Sequence, residues 1–179
     1  YVKNFDVYTS AEAIGLRAEY IRDGMDFALW KKNCVRLITE GSLSALHVMC
    51  TVNALCLDSL PALIDIMVEW KRTYGPDYPN FTLNILRFPS FQSAVVLPKR
   101  IKDDVAQQLT LKLKLFKEDL HEMEANQIAR LIEYLKTVNT PHTGADTLDK
   151  LQRDFKNFYT QYDTRRGKSF EKTFSNELV

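Results

Sequence analysis

From Phe5 to Leu86 the hydrophobic pattern switches repeatedly between strand-like and helix-like spacing, and that alternation constrains the fold more than any other feature. Phe5-Asp6-Val7-Tyr8-Thr9 is rich in aromatic and β-branched residues and reads as a strand. Asp26 is placed to cap a helix whose apolar face is Phe27, Trp30, Cys34, Leu37 and Ile38, with Gly41 at its end. Leu46 to Val52 is almost continuously apolar, as a strand buried on both faces would be. Asp58 heads a second helix, which tolerates Pro61 in its first turn and aligns Leu60, Leu63, Ile64, Met67, Val68 and Trp70. After the loop Gly75-Pro76-Asp77-Tyr78-Pro79, Phe81 to Leu86 reads as a third strand. Strand, helix, strand, helix, strand predicts an α/β fold of parallel units joined by crossovers.

The rest of the chain reads as helix. One helix starts at Pro98 and carries Val105, Leu109, Leu113 and Phe116, and a second runs from about Glu118 to Val138. Asn139 to Asp146, with Pro141 and Gly144, is the best linker, and Thr147 to Tyr162 carries Leu148, Leu151, Phe155, Phe158, Tyr159 and Tyr162 at helical spacing. The expected division is residues 1–97 as β/α units and 98–179 as a helical extension. With 24 Lys+Arg against 23 Asp+Glu, no global charge draws the chain to nucleic acid or an anionic membrane. The longest mostly apolar stretch, Ala45 to Leu57, is too short to span a bilayer. Three cysteines with no CxxC exclude a disulfide scaffold and point to a reducing, cytoplasmic setting. No signal peptide is visible. The chain opens directly in a strand-like run from Tyr1 to Thr9, which leads us to expect a piece of a longer polypeptide.

In parallel β/α folds the functional site lies where the strands end, because the loops there converge. Thr9, Ser10 and Glu12 follow the first strand, and Thr51 and Asn53 end the second. Asn84 lies inside the third, followed by Arg87, Pro89, Ser90 and Gln92. All three ends are polar, and none sets a nucleophile beside a base, the pattern of a binding face rather than a hydrolytic site.

Several of these residues carry a resemblance. Val7-Tyr8-Thr9-Ser10-Ala11-Glu12, then Tyr20-Ile21-Arg22-Asp23-Gly24-Met25-Asp26-Phe27 with Trp30 and Asn33, resembles the fourth β/α unit of radical S-adenosylmethionine (SAM) enzymes. Cys50-Thr51-Val52-Asn53 is similar to the Thr-Val-Asn that ends their next strand, and Leu83-Asn84-Ile85-Leu86-Arg87-Phe88-Pro89 takes the place of the sixth. Tyr162-Asp163-Thr164-Arg165-Arg166-Gly167, with Phe170 and Phe174, resembles the C-terminal part of the group named for its twitch domain. The resemblance runs over most of the chain in family order. It implies the second half of a partial parallel (β/α) barrel followed by an α-helical extension, with SAM and a [4Fe-4S] cluster at the strand ends. Ser10 would then bond the ribose or amino-acid part of SAM, Arg22 would pair with its carboxylate, and Asn53 would sit near the adenosine. Glu12 would face the same cavity and bind SAM or substrate, while Asn84, Arg87 and Gln92 are candidates for a small-molecule or peptide substrate. The N-terminal half of the same polypeptide would be a partner.

The cluster loop of that family, CxxxCxxC, is missing: Cys34, Cys50 and Cys56 are 16 and 6 positions apart. Cys34 falls on the apolar side of a helix and Cys50 in a buried strand, where small buried hydrophobes are expected. The cluster's ligands are therefore expected outside this chain, and no metal ligands are assigned. His47 and Cys50 differ by an odd number and point to opposite faces of one strand. His121-Glu122-Met123-Glu124, with Glu118 and Asp119, lacks the second His of a zinc helix and reads as a solvated acidic face. Lys99-Arg100-Ile101-Lys102, with Lys112, Lys114 and Lys117, reads as a solvated basic surface, and Arg165 to Lys168 as the densest positive cluster. The alternative to a radical SAM fragment is a non-catalytic α/β scaffold. It would have filled strand ends and an exposed apolar strip on its helical half for a protein partner.

Overall fold

The structure, a computed structural model, describes residues 5–139, 141 and 146–174. The start of the Tyr1–Thr9 run and Gly144 of the linker lie outside them. The described residues form three strands, β1 (Asp6–Ser10), β2 (Ala45–Val52) and β3 (Asn80–Ile85). Helices α1 (Gly15–Ile21) and α2 (Phe27–Glu40) connect β1 to β2, and α3 (Leu60–Tyr74) connects β2 to β3. Two 3₁₀ turns, Ser90–Gln92 and Ala94–Val96, lead into α4 (Lys99–Leu115), α5 (Glu122–Thr137), α6 (Leu148–Arg166) and α7 (Phe170–Thr173). The sheet is wholly parallel with order β1-β2-β3, as the alternating pattern predicts.

Local chemistry explains most boundaries. The Asp26 side chain accepts from the Leu29 backbone N–H and starts α2, which ends at Gly41. The structure moves the cap of α3 from Asp58 to Ser59. Asp58 instead pairs with Arg17, and the Ser59 hydroxyl accepts from the Ile14 N–H at 3.0 Å, tying α1 to α3. α6 extends past Tyr162 to Arg166 and stops at Gly167, whose φ of 63° is the left-handed turn that glycine takes without a Cβ penalty. α1 escapes the periodicity reading because it has only seven residues and no side-chain cap.

Register fixes which side chains share a face. Val7, Leu46, Val48, Cys50, Val52, Phe81 and Leu83 face the helices, where Trp30 Nε1 donates to Thr9 Oγ1 at 2.9 Å. The other face carries rows Tyr8–His47–Asn80, Ser10–Met49–Thr82 and Thr51–Asn84. Here the expectation for β2 is corrected: it is buried on one face, and Met49 on the other is 42% exposed. Tyr8 and His47 stack on that second face with centroids 4.4 Å apart.

The two sheet edges also differ. At β3, α5 supplies the missing bonds: Glu124 Oε1 accepts from Phe81 N at 2.9 Å, Gln127 accepts from Leu83 N, and Arg130 donates to Leu83 O at 3.0 Å. At β1, Phe5 O accepts from Ser44 N and Ala11 N donates to Met49 O. By alternation, Asp6, Tyr8 and Ser10 turn their backbone groups to the free side, where no described residue pairs with them.

One hydrophobic core runs through both halves of the chain, joining Val48, Leu63 and Leu83 with Leu109, Ile128, Leu131 and Phe155. A smaller core of Cys34, Leu46 and Trp70 fills the space between α2, α3 and the sheet. Two charge-rich stretches prove less solvated than their composition predicts. Lys102 is buried and donates to the Val138 carbonyl at 2.7 Å, and Lys112 pairs with Asp65. Glu124 is also buried, bonded to Lys71 at 3.1 Å. No described helix is long and apolar enough to cross a membrane.

Candidate functional site

The loops after the three strands meet as β/α topology requires. Ala54 N, after β2, donates to Gln92 O at 2.8 Å, and Leu86 N, after β3, donates to Val52 O at 2.9 Å. Between them lies a crevice of about 190 Å³ whose walls include Ile21, Asn53, Leu86 and Gln92. α6 closes its far side with Phe158, Tyr159 and Tyr162. The aromatic stripe thus packs across the strand ends, where Phe158 also meets Phe91 at 5.3 Å between centroids.

Arg22 follows Ile21 of the crevice wall in sequence but does not itself line the crevice. Its Nε donates to Glu12 Oε2 at 2.7 Å and its Nη2 to Glu12 Oε1 at 2.5 Å, a two-pronged fork. The Glu12 side chain is 5% exposed and that of Arg22 39%. Bonding to Glu12 pushes the Arg22 guanidinium even further above its ordinary value, so it carries a fixed charge. The fork uses two of the five N–H groups of the guanidinium and leaves those on its Nη1 end to receive a second planar anion. Glu12 is therefore placed to orient Arg22, rather than to face a cavity as expected from sequence.

The other predicted residues are distributed more widely. Ser10 ends β1 on the open face, and its hydroxyl has no hydrogen-bond partner among the described residues. Asn53 lines the crevice but spends most of its amide on the loop: Oδ1 accepts from Leu55 N and Cys56 N, and Nδ2 donates to Thr51 O. One N–H of that amide remains for a ligand. Gln92 lines the same crevice, of which Tyr159 is another wall. Asn84 is exposed on the open face, and Arg87 lies over the Tyr134 ring of α5 at 6.0 Å. The structure thus joins Glu12 to Arg22 directly and brings Asn53 and Gln92 to one crevice. Ser10 and Asn84 belong to the sheet face, and Arg87 to the contact with α5. Sequence reasoning passed over Tyr20 and Tyr162 as site walls; an aromatic stripe reads as core packing whichever surface it covers.

The cysteines do not form a cluster site. Cys34 belongs to the smaller core, Cys50 and Cys56 to the larger, and all three are buried. Burial pushes the Cys34 thiol up to about 12, and hydrogen bonding to Cys56 together with burial raises Cys50 well above its ordinary value. Among the described residues, no three His, Cys, Asp or Glu side chains are grouped to hold a metal. Because all three thiols are buried away from reagent, none is expected to react with a disulfide reagent within minutes at pH 8 in the folded chain. All three should react on unfolding, and rapid labelling without denaturant would contradict the packing described.

Comparison with protein-family models, with curated proteins and with solved structures finds no match to this chain.

Proposed function

We propose that this chain supplies the C-terminal β/α units of a radical SAM partial barrel and the strand-end residues that hold the amino-acid end of SAM. The observation that carries this reading is the Glu12–Arg22 fork, one residue along the chain from Ile21 of the crevice wall. A half-exposed guanidinium, fixed on one edge by a buried carboxylate and open on its other end, is suited to clamp a ligand carboxylate. In this reading the Ser10 hydroxyl, on the sheet face at the end of β1 and without a partner among the described residues, and the remaining amide N–H of Asn53, in the crevice, are further donors to the ligand. Parallel sheets are ordinarily covered on both faces, so the β1 edge, unpaired among the described residues, and the semi-polar second face favour further strands of a barrel as the partner. Those strands would carry the [4Fe-4S] ligands, since the cysteines of this chain do not fit the cluster.

In this reading Arg22 binds and orients the carboxylate, Glu12 holds the planar group in register, and the α6 aromatics exclude water from the crevice. Asn84, Arg87 and Gln92 are left for a substrate. The scaffold alternative draws on Leu111 and Leu115, one turn apart on α4, with Met123, Leu148 and Phe158 also exposed on the helical half. Titration calorimetry of the chain with SAM tests the proposal. Saturable binding is expected, weakened roughly two- to tenfold in Ser10→Ala by the loss of one hydrogen bond. A folded chain that takes up no SAM overturns it.

A further inference from the structure

The end of α1 is held by a segment far away in sequence. Lys168 Nζ donates to the backbone carbonyls of Glu19 at 2.6 Å and Tyr20 at 3.2 Å, and lies 3.0 Å from Asp23 Oδ1. Its ammonium also sits over the rings of Tyr20 and Tyr162, at 5.8 and 5.7 Å. Arg166 Nη1 donates to Asp23 Oδ2 at 2.8 Å. Tyr162 donates its hydroxyl to Tyr20 O at 2.9 Å, and Tyr20 donates its own to Asp163 Oδ1 at 2.7 Å. The second oxygen of Asp163 accepts from Phe170 N at 2.7 Å, which fastens the turn between α6 and α7 to the same point.

Apart from the Phe170–Asp163 bond, these hydrogen bonds and ion pairs fall on residues 19, 20 and 23, and Arg22, the C-terminal cap of α1, lies among them. A helix of seven residues has little stability alone. Its last carbonyls have no partner within the helix and carry the negative end of its dipole. Lys168 answers both needs, supplying hydrogens to two of those carbonyls and a positive charge beside them. The Glu12 fork fixes one edge of the Arg22 guanidinium, while the backbone that carries the side chain is fixed by Lys168.

We propose that Lys168 is a positioning residue for Arg22: the clasp from the end of α6 onto α1 sets how tightly the strand-end site holds a ligand carboxylate. This rests on the reading of Arg22 as the carboxylate clamp. It assigns Lys168, and Arg166 beside it, a role in holding α1, while Arg165 stays exposed.

The experiment titrates the chain and its Lys168→Met variant with SAM and with 5′-methylthioadenosine, which keeps the nucleoside and lacks the carboxylate. Lys168→Met is expected to weaken SAM roughly tenfold, about the worth of one hydrogen bond, and to leave 5′-methylthioadenosine unchanged. Lys168→Arg, which keeps the charge and donors, should recover most of the loss. If Lys168→Met does not fold, Arg166→Gln at the more exposed Asp23 contact makes the same comparison with a smaller change. Equal weakening of both ligands, or no change in either, overturns the clasp while leaving the Arg22 reading intact. Failure of the unaltered chain to bind either ligand overturns both.

Discussion

Replacing Glu124 by alanine is expected to produce the largest stability loss of any single change in this chain. The carboxylate is 1% exposed and serves three groups at once. It faces Lys71 Nζ at 3.1 Å, and it accepts from the backbone N–H of Phe81 at the sheet edge and of His121 at the start of α5, both at 2.9 Å. The alanine variant leaves a buried ammonium with the Pro76 carbonyl at 2.6 Å as its remaining close partner, and orphans two backbone donors. Breaking a buried pair from one side costs about 3–5 kcal/mol, or a fall of roughly 10 °C in Tm at this size. Burial already holds the Lys71 pKa below its ordinary value, and Glu124 opposes that shift. Glu124→Gln keeps an acceptor for Phe81 and should lose less. Urea unfolding of the three proteins checks the order, and a loss below about 1 kcal/mol in the alanine variant would mean that solvent reaches the pair.

Arg22→Ala is expected to damage both stability and binding, and the two effects can be separated. Without Arg22, the Glu12 carboxylate is left buried with no hydrogen-bond partner among the described residues, so the variant should be destabilised by about 2–4 kcal/mol, discounted for the part-exposed guanidinium. Pairing Arg22→Ala with Glu12→Ala removes the stranded charge and should recover most of that stability. SAM affinity should stay at least roughly 30-fold down in the double variant, because a charge-assisted contact to the ligand is worth about 2 kcal/mol or more. Arg22→Lys should retain charge but not affinity, since an ammonium cannot take Glu12 and a ligand carboxylate on two edges of one plane. Calorimetry alongside thermal melts distinguishes the cases. If the double variant regains affinity together with stability, Arg22 serves the fold alone.

Much of the fold was legible because local patterns and tertiary structure agree. Phe27, Trp30 and Cys34 place the buried side of α2, Asp26 and Gly41 its ends, and the Leu60–Trp70 face predicts how α3 packs. The parallel order follows from helices lying between strands. The candidate site was legible as positions along the chain, namely the residues just beyond each strand. Its chemistry was harder to read. Glu12 and Arg22 are ten residues apart on different elements, and their spacing carries no sign that one orients the other. Glu124 sits in a run of acidic residues where composition predicts solvent, and only the packing of α5 against β3 puts it inside.

Sequence alone carried the α/β class, the order of the three strands and of the longer helices between and after them, and the burial of Cys34 and Cys50, because each depends on periodicity within a short window. Tertiary structure alone decided which sheet face stays open, which charges are buried, and that α6 crosses the strand ends to hold α1. Those outcomes depend on pairs such as Tyr20 with Asp163, 143 residues apart, whose meeting is set by how whole elements pack. A local pattern specifies which side of an element is apolar, and the assembled fold specifies what that side meets.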